Sequence, residues 1–237
     1  MTIEVYAICY NEEALLPYFL RHYESFADRI IIYDNYSTDH SPEICAAHPK
    51  VEVRKYNTGN EIRDDIYLQI KNNCWKNSKA DWVIVCDIDE LVYRMNIHHA
   101  LKATWATVIA PALFNMYSDE FPTTPGQIWQ QVTLGVPGGA KLNLFRPDQI
   151  TEINYDPGCH VAHPEGNVII DKEEDQAFKT LHMRFLSKEW VIARNELSRQ
   201  RLSKLNKEMG WGIHYHATPV EISADFDRDI KNATEII

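Results

Sequence analysis

Residues 81 to 90, Asp81-Trp82-Val83-Ile84-Val85-Cys86-Asp87-Ile88-Asp89-Glu90, constrain the chain more than any other stretch. A short run of apolar and β-branched residues flanked by charges reads as a buried central strand that carries its acids out at its carboxyl end. Asp87 and Asp89 then lie two apart in an extended segment, so their carboxylates project to one side and can share a divalent cation. Chance alone gives roughly one Asp-x-Asp in a chain of this composition, so the tripeptide needs its context. Asp225-Phe226-Asp227-Arg228-Asp229 repeats the spacing with no apolar strand before it, and reads as a solvated acidic face.

The chain ahead of residue 81 alternates strand and helix. A strand over residues 2 to 9 ends in Tyr10-Asn11-Glu12-Glu13, a turn-and-cap sequence. Leu15, Leu16, Phe19, Tyr23 and Phe26 recur at helical spacing, with Pro17 tolerable in the first turn. Ile30 to Tyr33 form a second strand that breaks into Asp34-Asn35-Tyr36-Ser37-Thr38-Asp39, rich in turn formers. A short helix over 42 to 47, a strand over 51 to 56 and a helix over 61 to 77 follow. This order predicts an α/β fold with a doubly wound, mostly parallel sheet, in which ligands bind beyond the carboxyl ends of the strands. Asn11-Glu12, Asp34 to Asp39 and Asp87 to Asp89 all fall at such ends. Each also has a plain structural reading, as a helix cap or a turn residue.

The formal net charge of −10 excludes a general nucleic-acid binder, which needs a basic footprint. Anionic ligands must be met by local cations or a metal. A hydrophobic fraction of 45% fits a folded enzyme, and the five scattered cysteines without a Cys-x-x-Cys pair point to a reduced, cytoplasmic setting. Nothing near Met1 reads as a signal peptide, and no apolar run reaches membrane-spanning length, so any membrane contact is expected to be peripheral.

Cys9-Tyr10-Asn11-Glu12-Glu13, Tyr33-Asp34-Asn35-Tyr36-Ser37-Thr38-Asp39 and Asp87-Ile88-Asp89-Glu90 together give residues 1 to 95 a resemblance to family 2-type glycosyltransferases of the nucleotide-sugar-dependent GT-A fold. Asn35 and Tyr36 depart from it, standing where many members carry a second Asp and a Gly. The resemblance implies a single GT-A-like domain over 1–237: a nucleotide-binding half (1–95), an acceptor and metal-completing half (96–186), and a C-terminal helix and tail (187–237). It implies that Asn11 and Glu12 line the nucleotide, that Asp34 accepts from the base edge, and that Asp87 and Asp89 handle ribose and metal-diphosphate. Arg63 can meet a phosphate or Asp34, or be a solvated helix residue. Hard oxygen ligands favour Mn²⁺ or Mg²⁺. The donor implied is a nucleoside-diphosphate sugar, a UDP-sugar first, and the acceptor a glycan or lipid-linked glycan.

The second half bears on the acceptor. Residues 106 to 114 read as a strand with a bulge or edge at Pro111, and Gln127 to Ala140 as a mobile segment or hairpin. Lys141 to Pro147 reads as an alternating strand, moderately similar to a Lys and Arg-Pro stretch of related transferases. An inverting transfer needs a carboxylate to take the acceptor proton, and Asp119, Glu120 and Asp156 are candidates that spacing does not rank. His160, His163, His182, His214 and His216 are candidates for a third metal ligand or a phosphate contact. The resemblance favours His182, with Arg184 and Lys188 on the phosphates, while His214 and His216 share one side of an extended segment and compete. Ser187 caps a helix running to Met209, whose stripe of Trp190, Leu197, Leu202, Leu205 and Met209 suits core packing, with any exposed remainder open to oligomerisation.

Residues 82 to 89 also resemble the first motif of haloacid-dehalogenase-type phosphatases, with Asp87 as nucleophile. That motif usually opens its domain and continues with Gly or Val then Thr, whereas here three strand-helix units precede it and Glu90-Leu91 follow. A nucleotidyltransferase normally opens with a Gly-rich basic loop, which Tyr10 to Glu13 lack. A non-catalytic nucleotide- or glycan-binding module remains the third class.

Overall fold

Alternation along the central strands decides how the main sheet is covered. The computed structural model describes residues 1–171 and 177–237. In β1 (Ile3–Cys9), Ile3, Val5, Ala7 and Cys9 face one core and Tyr6 the other. After α1 (Leu16–Glu24), β2 (Arg29–Asp34), α2 (Ser41–Ala46), β3 (Val51–Lys55) and α3 (Asp64–Asn73), the same happens in β4 (Trp82–Asp87). Trp82, Ile84 and Cys86 join the core beneath α1, while Val83 and Val85 pack with Trp75 and Phe145 on the opposite face. A strand apolar on both sides is stable only with both faces covered. Each fully buried aliphatic side chain here contributes about 1.5–3 kcal/mol, so an Ile84→Ala cavity is expected to cost about 2–5 kcal/mol.

β1 pairs in parallel with β2 and β4, and β2 with β3. The chain then leaves this parallel block. β5 (Glu90–Tyr93) and α4 (Ile97–Ala103) lead to β6 (Val108–Ile109) and β7 (Ala112–Tyr117), with Pro111 at the junction between them. The expected single strand over 106 to 114 is thus two, because its halves belong to different sheets. β8 (Leu134–Ala140) pairs antiparallel with β7. The stretch expected as a mobile segment or hairpin thus holds a paired strand, in which Gly135 and Gly138 permit close approach, since a Cβ on Gly138 would lie 2.7 Å from Leu113 Cδ2.

β9 (Leu144–Phe145), the ribbon of β10 (Ile150–Glu152) and β11 (Glu165–Gly166), and β12 (Ile170–Asp171) precede β13 (Lys179–Phe185). The main sheet has the order β12-β6-β9-β4-β1-β2-β3 among the described residues. Ser187 caps α5 (Lys188–Arg201), accepting from the Trp190 amide. The helix ends eight residues earlier than expected. Ile62 docks on it instead, its amide donating to Arg201 O at 2.7 Å, and Ser203 caps a separate α6 (Lys204–Met209) that stops at left-handed Gly210. Leu197 and Met209 are exposed, so the expected apolar stripe is interrupted. α7 (Pro219–Asn232) opens with a capping box and β14 (Thr234–Glu235) completes the second sheet, β14-β8-β7-β13-β5. Asp225 and Asp229 in α7 pair with Arg228 and Asp227 with Lys188, the solvated acidic face expected of them. The five cysteines are free thiols, and no described helix is long and apolar enough to cross a membrane.

Candidate active site

Strand register brings the expected polar breaks to one edge. Ile8 lies beside Asp87, Cys9 beside Asp34 and Asp34 beside Lys55, so β1, β2, β3 and β4 end together. β13 crosses this edge with His182 opposite Glu90 on one side and Asn115 on the other.

The two acids of the central motif part company. Ile88 and Asp89 form a turn rather than an extended segment, so the expectation that both carboxylates face one cation does not hold in this geometry. Lys71, buried in α3, donates to both Asp87 oxygens at 2.6 and 2.8 Å, and the Lys141 ammonium lies 3.7 Å away. Lys141 itself is buried against Glu90 at 2.5 Å, whose other oxygen accepts from the Asp87 amide. Burial works against each charge in this group, and the charges offset it mutually. Asp87 stays below the ordinary carboxylate range beside the two lysines, and Asp87 and Glu90 keep both lysines above theirs. The result is a braced carboxylate at the end of β4.

Asp89 turns toward β13 and α5. Its carbonyl accepts from the Met183 amide, and its carboxylate lies 3.5 Å from His182 Nε2 and 3.6 Å from Arg194 Nη2. Burial pushes Asp89 upward, but His182, Arg194 and Arg184 outweigh it and hold the carboxyl far below the ordinary range. Asn115 Oδ1, 3.0 Å from His182 Nδ1, fixes the ring so that Nε2 faces Asp89. Arg194 also donates to both Glu12 oxygens.

Around these groups opens a cleft of about 490 Å³. Tyr10, Tyr56 and Tyr67 form its aromatic wall, with the Arg201 guanidinium stacked 3.5 Å above the Tyr10 ring. Arg184 projects into it beside Tyr215. His160 and His214 stand on the rim. Burial, then Arg184 and His160, lower His214 to about 4.

Of the residues expected from sequence, Glu12, Asp87, Asp89, His160, His182, Arg184 and His214 line this cleft. The others lie elsewhere. Asn11, at φ 52°, ties the first two loops together, its side-chain oxygen accepting from the Thr38 amide and its own amide donating to Ser37. Asp34 is buried, accepts from the Ser37 amide and pairs with Lys55. Arg63 is engaged by Asp65, and Lys188 by Asp227. Asp119 and Glu120 line a separate hollow with Tyr117, Thr133 and Lys231. Asp156 is exposed, 3.2 Å from His163. His216 sits with His214 in a 3-10 turn, which removes the shared side that an extended segment would give them.

Sequence reasoning missed Lys71, Arg194, Arg201 and the tyrosine wall. Arg194 did leave a trace, four residues after Trp190, whose ring it covers at 5.1 Å. The departures in the second loop have structural reasons. Asn35 donates to Thr58 Oγ1 and accepts from the Thr58 amide, and Tyr36 holds the left-handed φ of 55° that a Gly would adopt there.

Asp89 and His182 fit a hard divalent cation. One oxygen and one imidazole nitrogen face each other, the ring is oriented by a second residue, and Mg²⁺ or Mn²⁺ commonly takes few protein ligands with the rest from phosphate and water. No cluster of three or more metal-ligating side chains occurs among the described residues.

Comparison with known proteins gives the following. The glycosyl transferase family 2 profile matches residues 5–135, more than half of the chain. No curated protein matches at a significant level. Among solved structures, TarS 1–349 of S. aureus is similar at 13% identity and a TM-score of 0.48, over 88% of this chain and 68% of that one. Glucosyl-3-phosphoglycerate synthase from Mycobacterium tuberculosis, in complex with Mn²⁺, UDP and phosphoglyceric acid, is similar at 16% identity and a TM-score of 0.34, over 48% of this chain and 43% of that one. A 4-diphosphocytidyl-2C-methyl-D-erythritol synthase is similar at 13% identity and a TM-score of 0.36, over 62% of this chain and 76% of that one. With a family match over the strand-helix units that carry the cleft, the chain belongs to glycosyl transferase family 2.

Proposed function

We propose that the protein transfers a sugar from a nucleoside-diphosphate sugar, a UDP-sugar first, to a hydroxyl of a glycan or lipid-linked glycan, with inversion and with help from Mn²⁺ or Mg²⁺. The observation that carries this reading is the Asp89–His182 pair at the carboxyl edge of a parallel sheet, with Arg184, Arg194 and Arg201 around it in one cleft. A cation held by that pair neutralises negative charge as the diphosphate departs. The arginines suit the remaining phosphate oxygens, and the tyrosine wall suits the flat base. Asp87, braced by Lys71 and Lys141, is suited to hold a ribose hydroxyl. The same bracing disfavours the phosphatase reading, because the two lysines hold the charge of the Asp87 carboxylate and lower its nucleophilicity.

A panel of nucleotide sugars tests this. With Mn²⁺ present, at least one donor is expected to raise the melting temperature and to be hydrolysed slowly by water. No stabilisation by any donor, or release of phosphate from simple phosphomonoesters instead, sinks the reading.

A further inference from the structure

We propose that the His160 imidazole is the general base that takes the proton from the acceptor hydroxyl. The inference rests on the glycosyltransferase reading and names the base within it.

The carboxylates of the cleft are already committed among the described residues. Glu12 is clasped by Arg194, Asp87 by Lys71 and Lys141, Glu90 by Lys141, and Asp89 by His182 and Arg194. Asp64 Oδ2 accepts from Asn206 Nδ2 at 3.0 Å. Both oxygens of Glu12 are taken by Arg194 and both of Asp87 by Lys71, while burial raises Glu12 and Asp64 above the ordinary carboxylate range, so Asp64, held by a neutral amide, is the acid that the test sets against His160. The acids expected from sequence for this task, Asp119, Glu120 and Asp156, do not line the cleft.

Two rim imidazoles remain, and no hydrogen bond ties either ring among the described residues. Their supports differ. His214 belongs to the turn Ile213–His216, preceded by left-handed Gly210 and Gly212, and its ring leans on Tyr215. It also lies beside Arg184, on the side suited to the leaving diphosphate. His160 sits at the tip of a short hairpin closed by the Tyr155–Ala162 bridge and by the Asp156 amide donating to Val161 O at 3.0 Å. Tyr155 pins that hairpin to the scaffold. Its amide donates to Asn72 Oδ1 and its hydroxyl to Leu142 O, each at 2.9 Å. Cys159 anchors the tip in the core under β4.

The tip itself is strained. Gly158 has φ 82°, and Cys159 adopts φ 58°, a left-handed conformation disfavoured for a residue with a Cβ. The turn presents His160 to the cleft, and a Cβ on Gly158 would meet the His160 ring at 3.3 Å. The groups facing this imidazole are Lys141, Glu90, His182, Asp87 and His214. Burial, then Lys141, lower it below the ordinary 6.5.

The step balances with no further reactant. The acceptor oxygen bonds to the anomeric carbon as its proton passes to the imidazole. The bond from that carbon to the diphosphate oxygen breaks, and its electron pair leaves with the nucleoside diphosphate. The imidazolium then returns its proton to solvent.

The test is single-turnover hydrolysis, with water as acceptor, of whichever UDP-sugar the wild-type protein cleaves in Mn²⁺, alongside calorimetric binding of UDP. His160→Ala is expected to lower the rate at least about 100-fold, to leave UDP affinity within about threefold, and to regain rate with added imidazole. His160→Gln is expected to bind UDP normally and to lose the acid limb of the pH–rate profile. A His160→Ala rate within threefold of wild type, or a comparable loss in Asp64→Asn or His214→Gln with His160→Ala intact, overturns the assignment and leaves the glycosyltransferase reading standing. Absence of both UDP binding and donor cleavage in the wild-type protein overturns both.

Discussion

Arg194 reaches across from α5 to clasp Glu12 from the first loop, with Nη1 at 2.6 Å and Nη2 at 2.9 Å from its two carboxylate oxygens. The same guanidinium lies 3.6 Å from Asp89, so one residue joins the amino-terminal half, the central turn and the carboxyl-terminal helix. Removing it strands two acids in a largely buried site. Arg194→Ala is expected to cost about 2–3 kcal/mol, a fall of about 5–10 °C in melting temperature. Arg194→Lys should recover less than half, because an ammonium cannot replace a bidentate fork. Calorimetric melting of the two variants checks this, and a fall below about 2 °C for the alanine variant contradicts it.

The buried quartet of Lys71, Asp87, Lys141 and Glu90 is expected to behave as one unit. Lys141→Met leaves Glu90 buried without a cation and should cost about 3–5 kcal/mol. Glu90→Gln in the same chain keeps an acceptor for the Asp87 amide and removes the unpaired charge, so the double variant should recover more than half of that loss. Urea unfolding of the two single variants and the double gives the coupling directly.

Asn35 marks where this chain departs from the usual loop sequence, and its amide has work that an acid cannot do. The Thr58 hydroxyl donates to Glu61 O at 2.5 Å, so Asn35 Nδ2 must be the donor to that oxygen. Asn35→Asp sets acceptor against acceptor in a buried pair, with an expected cost of about 1–3 kcal/mol. The loss should shrink in acid as the new carboxyl takes a proton. Denaturant midpoints at pH 7 and pH 4 test both parts.

The first half of this arrangement was legible because its signals are local. Apolar runs, turn formers and a capping residue lie within a few positions of one another, and they located β1 to β4 and their polar ends. What was hidden depends on contacts far apart in the chain. Lys71 and Lys141 look like ordinary lysines until α3 and the segment before β9 bring them to one carboxylate. Arg194 reads as a helix-surface charge until α5 folds over Glu12, 182 residues away in sequence. The Asp87–Asp89 pair shows the reverse error: its spacing was read as extended, and a turn at Ile88 sends the two carboxylates to different partners. Gly135 and Gly138 were read as loop residues, whereas β7 passes so close that a strand with side chains there would not fit.

His22 sets an acid-stability limit. It is buried with Nε2 at 2.9 Å from Val92 O, and burial lowers it to about 4 from the ordinary 6.5. The unfolded chain binds a proton here near 6.5 and the folded chain only near 4, so its contribution is full above about 6.5 and is lost as pH falls toward 4. That displacement is worth about 3 kcal/mol. His22→Gln should flatten the fall of unfolding free energy between pH 7 and pH 4 by about that amount, as urea titrations at both pH values will show.

The central claim is that Asp89 and His182 bind a divalent cation that carries a nucleoside diphosphate into the cleft. Calorimetric titration of UDP into the protein with Mn²⁺, repeated with chelator and with Asp89→Asn, addresses it most directly. The account predicts saturable UDP binding with Mn²⁺ that weakens at least about 30-fold, roughly 2 kcal/mol, in the other two titrations. UDP binding of equal strength in all three titrations would contradict it.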